Sequence, residues 1–252
     1  MESLKFFDCS CSIGMRGIVY PGSFYKINDL VEKMNRYGIE KALVYHSMAR
    51  EYNPCEGNRM LVDEIKGFPL LVPVWVVMPH NTGEFPKPDE LLRQMKHEGV
   101  KAVRIFPSAT DQNYCISQWN CGELFLALQK AKVPLIIGID QLSWNELHDL
   151  CNSYPGLNIV LTSVNYRVDR NLYSLLGKFR NLFIETIGYK VHSGIEEICT
   201  KFGAERLIFG SSMPLYSGAA AVSMINYACI SDEEKSLIAC RNLEILLEGV
   251  QL

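Results

Sequence analysis

Eight apolar, strand-like runs, each followed by a segment with helical spacing, constrain this 252-residue chain more than any other feature. The runs are Leu4–Asp8, Ala42–Tyr45, Leu70–Met78, Val100–Phe106, Pro134–Ile139, Leu157–Thr162, Leu182–Ile187 and Arg206–Ser211. The helical segments are Ile27–Tyr37, Asn58–Lys66, Asp89–His97, Glu123–Lys132, Ser143–Asn152, Asp169–Phe179, Ile195–Phe202, Gly218–Cys229 and Asp232–Leu247. In the first of these, Ile27, Leu30, Val31 and Met34 share one face, and Gly38 follows where a left-handed C-cap belongs. Ser143 with Glu146 three residues on reads as a capping box. Leu70–Met78 is almost wholly apolar, as a strand covered on both faces must be. Strand-helix alternation with both sheet faces covered means a parallel α/β fold. Eight such units in about 250 residues is the length of a (β/α)8 TIM barrel. The expectation is therefore an α/β, (β/α)8 barrel forming a single domain over residues 1–252, with one extra C-terminal helix. An open doubly wound sheet is the alternative. It lacks its motif here, because no Gly-rich phosphate loop follows the first strand and no G-x-x-x-x-G-K occurs.

Charge and composition narrow the partners. Lys plus Arg is 25 and Asp plus Glu is 28, a formal net charge of −3, which argues against a nucleic-acid module. Hydrophobic residues make up 48%, too many for a disordered chain. Nine Cys, an odd number at low density, do not read as a disulfide framework. The opening MESLKFFDCS lacks the basic start and long apolar run of a signal peptide, so a reduced cytoplasm is expected. Phe68–Pro79 is too short to span a bilayer. Leu207–Ser231 is uncharged but broken by Gly210, Pro214 and Gly218, so it reads as strand, loop and helix, and no membrane partner is expected.

In a barrel of this kind the chemistry gathers at the C-terminal ends of the strands. Those ends supply Ser10 and Ser12, His46, Arg104 with Phe106, Gly138, Ser163, Glu185 and Ser212. The series resembles the amidohydrolase-related family of TIM-barrel metal-dependent hydrolases, which includes the aminocarboxymuconate-semialdehyde-type decarboxylases. The likeness runs from Phe7-Asp8-Cys9-Ser10-Cys11-Ser12 through Gly99–Pro107, Val133–Ile137 and Pro155–Leu161 to Arg206–Pro214 and Arg241-Asn242. The resemblance implies metal-dependent hydrolysis or decarboxylation. It also implies that the family's metal-site residues fall on Ser10, Ser12, Gly138, Ser163 and Ser212. A divalent transition metal needs imidazole or carboxylate donors, and a neutral hydroxyl or a glycine is a poor substitute. The expectation is thus no metal and no cofactor. Cys9 and Cys11 form a C-x-C, but strand alternation turns both outward if Ser10 and Ser12 face in.

Arg104 is expected to face inward, since Phe106 two residues on would then share its side. An inward guanidinium needs an anion, either Glu185 or the carboxylate of a ligand. The long segments after the first and fourth strands carry Arg16, Tyr20, Tyr114 and Trp119, which fit a pocket for a small anionic ligand. Arg104, Ser10, Ser12, Ser163, Ser212 and Trp119 are the candidate ligand-binding residues. His46 and Glu185 are the candidate acid/base groups should catalysis persist. The leading reading is a small-carboxylate-binding pseudoenzyme. The alternatives are a metal-independent hydrolase or lyase, and an interaction scaffold that forms homo-oligomers through its outer helices.

Overall fold

The computed structural model describes residues 4–252. Its strands are β1 (Phe6–Ile13), β2 (Ile39–His46), β3 (Leu71–Val76), β4 (Ala102–Arg104), β5 (Leu135–Gly138), β6 (Ile159–Thr162), β7 (Leu182–Glu185) and β8 (Leu207–Ile208). The helices are α1 (Ile27–Tyr37), α2 (Ser47–Glu51), α3 (Pro54–Glu64), α4 (Pro88–Glu98), α5 (Gln118–Lys130), α6 (Trp144–Ser153), α7 (Asp169–Lys178), α8 (Gly194–Phe202), α9 (Gly218–Asn226), α10 (Asp232–Ser236) and α11 (Asn242–Glu248). The strands pair in parallel in the order β1 to β8, the (β/α)8 barrel expected from the alternation. β8 is short, so β1 meets the segment beyond it. Cys9 N–H donates to Phe209 O at 3.0 Å and Ser12 N–H to Met213 O at 2.9 Å. The buried carboxylate of Asp8 clasps the same seam, its Oδ1 accepting from Ser10 N–H and Ser211 N–H, each at 3.0 Å.

Two apolar layers follow from strand alternation. Phe7, Leu43, Val74, Val76, Ile136, Val160 and Ile208 pack together inside the barrel. Leu243, Leu246 and Leu247 of α11 join that cluster at the end opposite the strand C-termini. Phe6, Cys11 and Ile13 instead pack outward, in the layer that holds Leu30 and Met34 of α1. Asn242 Nδ2 ties α11 to the last strand by donating to Ala204 O and Leu207 O, each at 2.9 Å. The Ser143–Glu146 capping box forms as the sequence indicates.

The departures from the sequence reading are local. Pro54 at the first turn, behind the Asn53 N-cap, starts α3 four residues before the expected Asn58. The single terminal helix expected over Asp232–Leu247 is interrupted by a π-helical stretch, Leu237–Arg241. In β1, Asp8 pairs with Ala42 while Cys11 pairs with Val44, so three steps face two. This bulge re-aims one residue. Cys9 therefore lies inside the barrel and Cys11 outside, where both had been expected outside. All nine cysteines are free thiols. Among the described residues no helix is long and apolar enough to cross a membrane.

Candidate functional site

The C-terminal ends of the strands surround a cavity of about 500 Å³. Ser10, Ser12, Gly138, Ser163 and Ser212 all line it, so the small residues read from separate strand ends converge in space. Ser163 and Ser212 hold left-handed backbone, at φ 61° and 50°. Such strain in non-glycine residues is characteristic of functional loops, and the chain carries it at the ends of two strands facing one cavity.

Glu185 lies fully buried behind this floor. Ser10 Oγ and Ser212 Oγ both donate to its Oε1, the latter at 2.9 Å, and its Oε2 has no protein partner. Burial pushes its carboxyl pKa up, opposed by the two serine hydroxyls and by the positive charge of Arg104. Gly210 makes the arrangement possible. A Cβ there would stand 2.5 Å from Glu185 Oε1 and 2.7 Å from Ser10 Oγ.

Arg104 faces inward, as alternation with Phe106 requires. Its Nη2 donates to Thr162 Oγ1 at 3.1 Å, and its guanidinium lies 5.0 Å from the Tyr45 ring centroid and 5.2 Å from that of Phe106. Its buried Nε has no partner, and among the described residues no carboxylate forms an ion pair with it. Arg50, by contrast, is paired with Asp111, which accepts from its Nε at 2.7 Å and its Nη2 at 3.1 Å. Arg16, from the loop after β1, donates through Nη2 to Ser12 Oγ at 2.6 Å and to Tyr45 OH at 3.3 Å.

Two sequence candidates lie elsewhere. His46 is buried but turns away from the mouth. Its Nδ1 accepts from Met48 N–H at 3.1 Å and its Nε2 sits 3.5 Å from Glu64 Oε1. It borders a separate outer cavity with Gly14 and Met60. Its neighbour Tyr45 takes the inward position, because successive strand residues point to opposite faces. Trp119 is 78% exposed on α5 and does not line the mouth. Tyr45, Arg50 and Asp111 were missed. Alternation from Leu43 would have found Tyr45, whereas the Arg50–Asp111 pair joins α2 to the loop after β4 and leaves no local signal.

The strand-end residues Ser10, Ser12, Gly138, Ser163 and Ser212 offer neither imidazole nor carboxylate to a divalent metal. The lining carboxylates Glu51, Asp111 and Asp140 are engaged by Gly17 N–H, by Arg50 with Ser108 and Gln141, and by Gln141, and Glu185 behind the serines is engaged by Ser10 and Ser212. Among the described residues no three His, Cys, Asp or Glu side chains gather to hold an ion. The C-x-C pair is split across the barrel wall by the β1 bulge.

Comparison with known proteins bears on the fold. No family profile and no curated protein matches the chain. Among solved structures it resembles 5-carboxyvanillate decarboxylase from Sphingomonas paucimobilis, with a TM-score of 0.74, 16% identity and 98% and 99% of the two chains covered. It resembles 2,6-dihydroxybenzoate decarboxylase from Rhizobium with the same four values. A dihydroxybenzoic acid decarboxylase from Polaromonas, solved with bound manganese and the inhibitor 2-nitroresorcinol, aligns with a TM-score of 0.72, 16% identity and 98% and 97% coverage. The fold of this chain is that of the amidohydrolase-like decarboxylases.

Proposed function

We propose that the barrel mouth binds a small planar carboxylate without a metal ion. The observation that carries this reading is Arg104, a buried guanidinium at an open cavity whose Nε lacks a partner. A buried charge without a counter-ion is expensive, and a carboxylate offers the fork geometry that satisfies it. The rings of Tyr45 and Phe106 lie beside the guanidinium and pack against each other at 5.4 Å between centroids, and together they offer an aromatic wall to a flat ligand. Ser10, Ser12, Ser163 and Ser212 supply neutral hydrogen-bonding groups to the rest of it. The size of the cavity suits the likeness to a 2,6-dihydroxybenzoate decarboxylase solved with 2,6-dihydroxybenzoate. On this reading the chain keeps a carboxylate pocket without the family's metal chemistry, as a binding protein.

The test is a thermal-shift series with benzoate and other small carboxylates. Ligand at 100 times its Kd stabilises by about 2.7 kcal/mol, which raises Tm by about 5–11 °C for a domain of this size. Arg104→Met is expected to abolish the shift. No shift with any carboxylate, or an unchanged shift in Arg104→Met, overturns the reading. A second reading, a metal-independent hydrolase or lyase, is favoured by one observation, the buried Glu185 carboxylate linked to the cavity through the Ser10 and Ser212 hydroxyls.

A further inference from the structure

The most heavily charged environment in the mouth surrounds a residue with no assigned role. Tyr45 lines the cavity with its ring buried between strands. Arg16 reaches it from the loop after β1, Nη2 to OH at 3.3 Å. Arg104 from β4 sits over its ring at 5.0 Å. Arg50 from α2 adds a third positive charge, although Asp111 partly cancels it. Among the described residues neither Arg16 nor Arg104 forms an ion pair with a carboxylate, and both act on the phenol of Tyr45. The buried Glu185 carboxylate behind the cavity serines is hydrogen-bonded by Ser10 and Ser212 rather than by either arginine.

We propose that Tyr45 is the acid–base residue of this cavity, held by Arg16 and Arg104 to pass one proton to and from a small carboxylate anchored beside it. The proposal rests on the carboxylate-binding reading and takes it beyond binding to proton-transfer chemistry. In the step, the Tyr45 O–H bond breaks, a new bond to hydrogen forms on the bound molecule, and the electron pair remains on the phenolate oxygen. Arg16 Nη2–H stabilises that oxygen through the bond it already makes. The reverse transfer regenerates the phenol, and no oxidant or second reagent is needed.

The competing groups have other tasks. Glu185 is screened from the cavity by two hydroxyls, and His46 faces outward. Asp111 is taken by Arg50, Ser108 and Gln141. Glu51 accepts from Gly17 N–H and Asp140 from Gln141 Nε2. Electrostatics agree with the geometry. Burial raises the Tyr45 pKa, but Arg104, Arg16 and Arg50 more than offset it and bring it below the ordinary phenol value.

The experiment is a spectrophotometric titration of phenolate absorbance in the ligand-free full chain, so its outcome is independent of whether any carboxylate binds. The wild-type curve minus that of Tyr45→Phe isolates one of the 12 tyrosines. The difference is expected to show a single phenol titrating below 10.0, and Arg16→Gln is expected to move that transition upward. Arg16 lies on a loop, half-buried, so this variant reports even if Tyr45→Phe fails to fold; tyrosine ring-carbon NMR then follows the low-titrating phenol in wild type and Arg16→Gln. A difference curve at or above the ordinary value, or a transition indifferent to Arg16→Gln, overturns the proposal.

Discussion

Replacing Glu185 by glutamine isolates the energetics of the cavity floor. The carboxyl is fully buried, and its folded pKa is raised above the ordinary value of 4.5, chiefly by desolvation. The folded chain therefore binds that proton more tightly than the unfolded chain. The stability it contributes is fully present below pH 4.5 and is lost as pH rises through the folded pKa. One proton bound in the folded state and released in the unfolded state gives a slope of about 1.4 kcal/mol per pH unit. The substituted amide would keep an oxygen to accept from Ser10 or Ser212 but cannot ionise. Urea denaturation of both proteins at a series of pH values cancels the contributions of all other groups to first order. Wild type minus Glu185→Gln should be flat below pH 4.5 and then fall by up to about 1.4 kcal/mol per pH unit. It should level off once Glu185 is ionised in the folded state. A difference that stays flat throughout, or that rises with pH, would refute the claim that burial outweighs the two serine hydroxyls and Arg104.

Two further substitutions probe how the mouth is built. Gly210→Ala places a methyl group 2.5 Å from Glu185 Cγ and Oε1. Overpacking of this kind costs about 1–3 kcal/mol and lowers Tm by about 2–12 °C, measured by calorimetry; an unchanged melt would mean that Glu185 moves aside freely. Asn58→Ala removes both bonds that pin β3 to α3, Nδ2 to Val76 O at 2.8 Å and Val76 N–H to Oδ1 at 2.9 Å. Each buried backbone group left unpaired costs about 1–3 kcal/mol, which a urea midpoint would register.

The barrel was legible because its signal is repeated. Eight apolar runs separated by amphipathic helices leave few topologies, and helix ends such as Gly38 and the Ser143 capping box mark themselves. The convergence of Ser10, Ser12, Gly138, Ser163 and Ser212 was legible for the same reason, since each closes a strand. What escaped was parity within a strand. Alternation places Arg104 and Phe106 at the mouth, whereas the strand-end position of His46 points to the mouth only if parity is ignored, since Leu43 fixes the inward face and Tyr45 shares it. Cys9 escaped because a bulge adds a residue on one strand only, and nothing in Asp8–Cys11 announces it. Trp119 is placed by the first turn of α5, which tips it outward to solvent.

The central claim is that Arg104, and not a cation, holds the ligand. Titration calorimetry of benzoate into chain dialysed against a chelator tests it most directly. Binding is expected to persist in the stripped protein and to vanish in Arg104→Met. Binding that disappears on chelation and returns only when manganese or zinc is restored would contradict it.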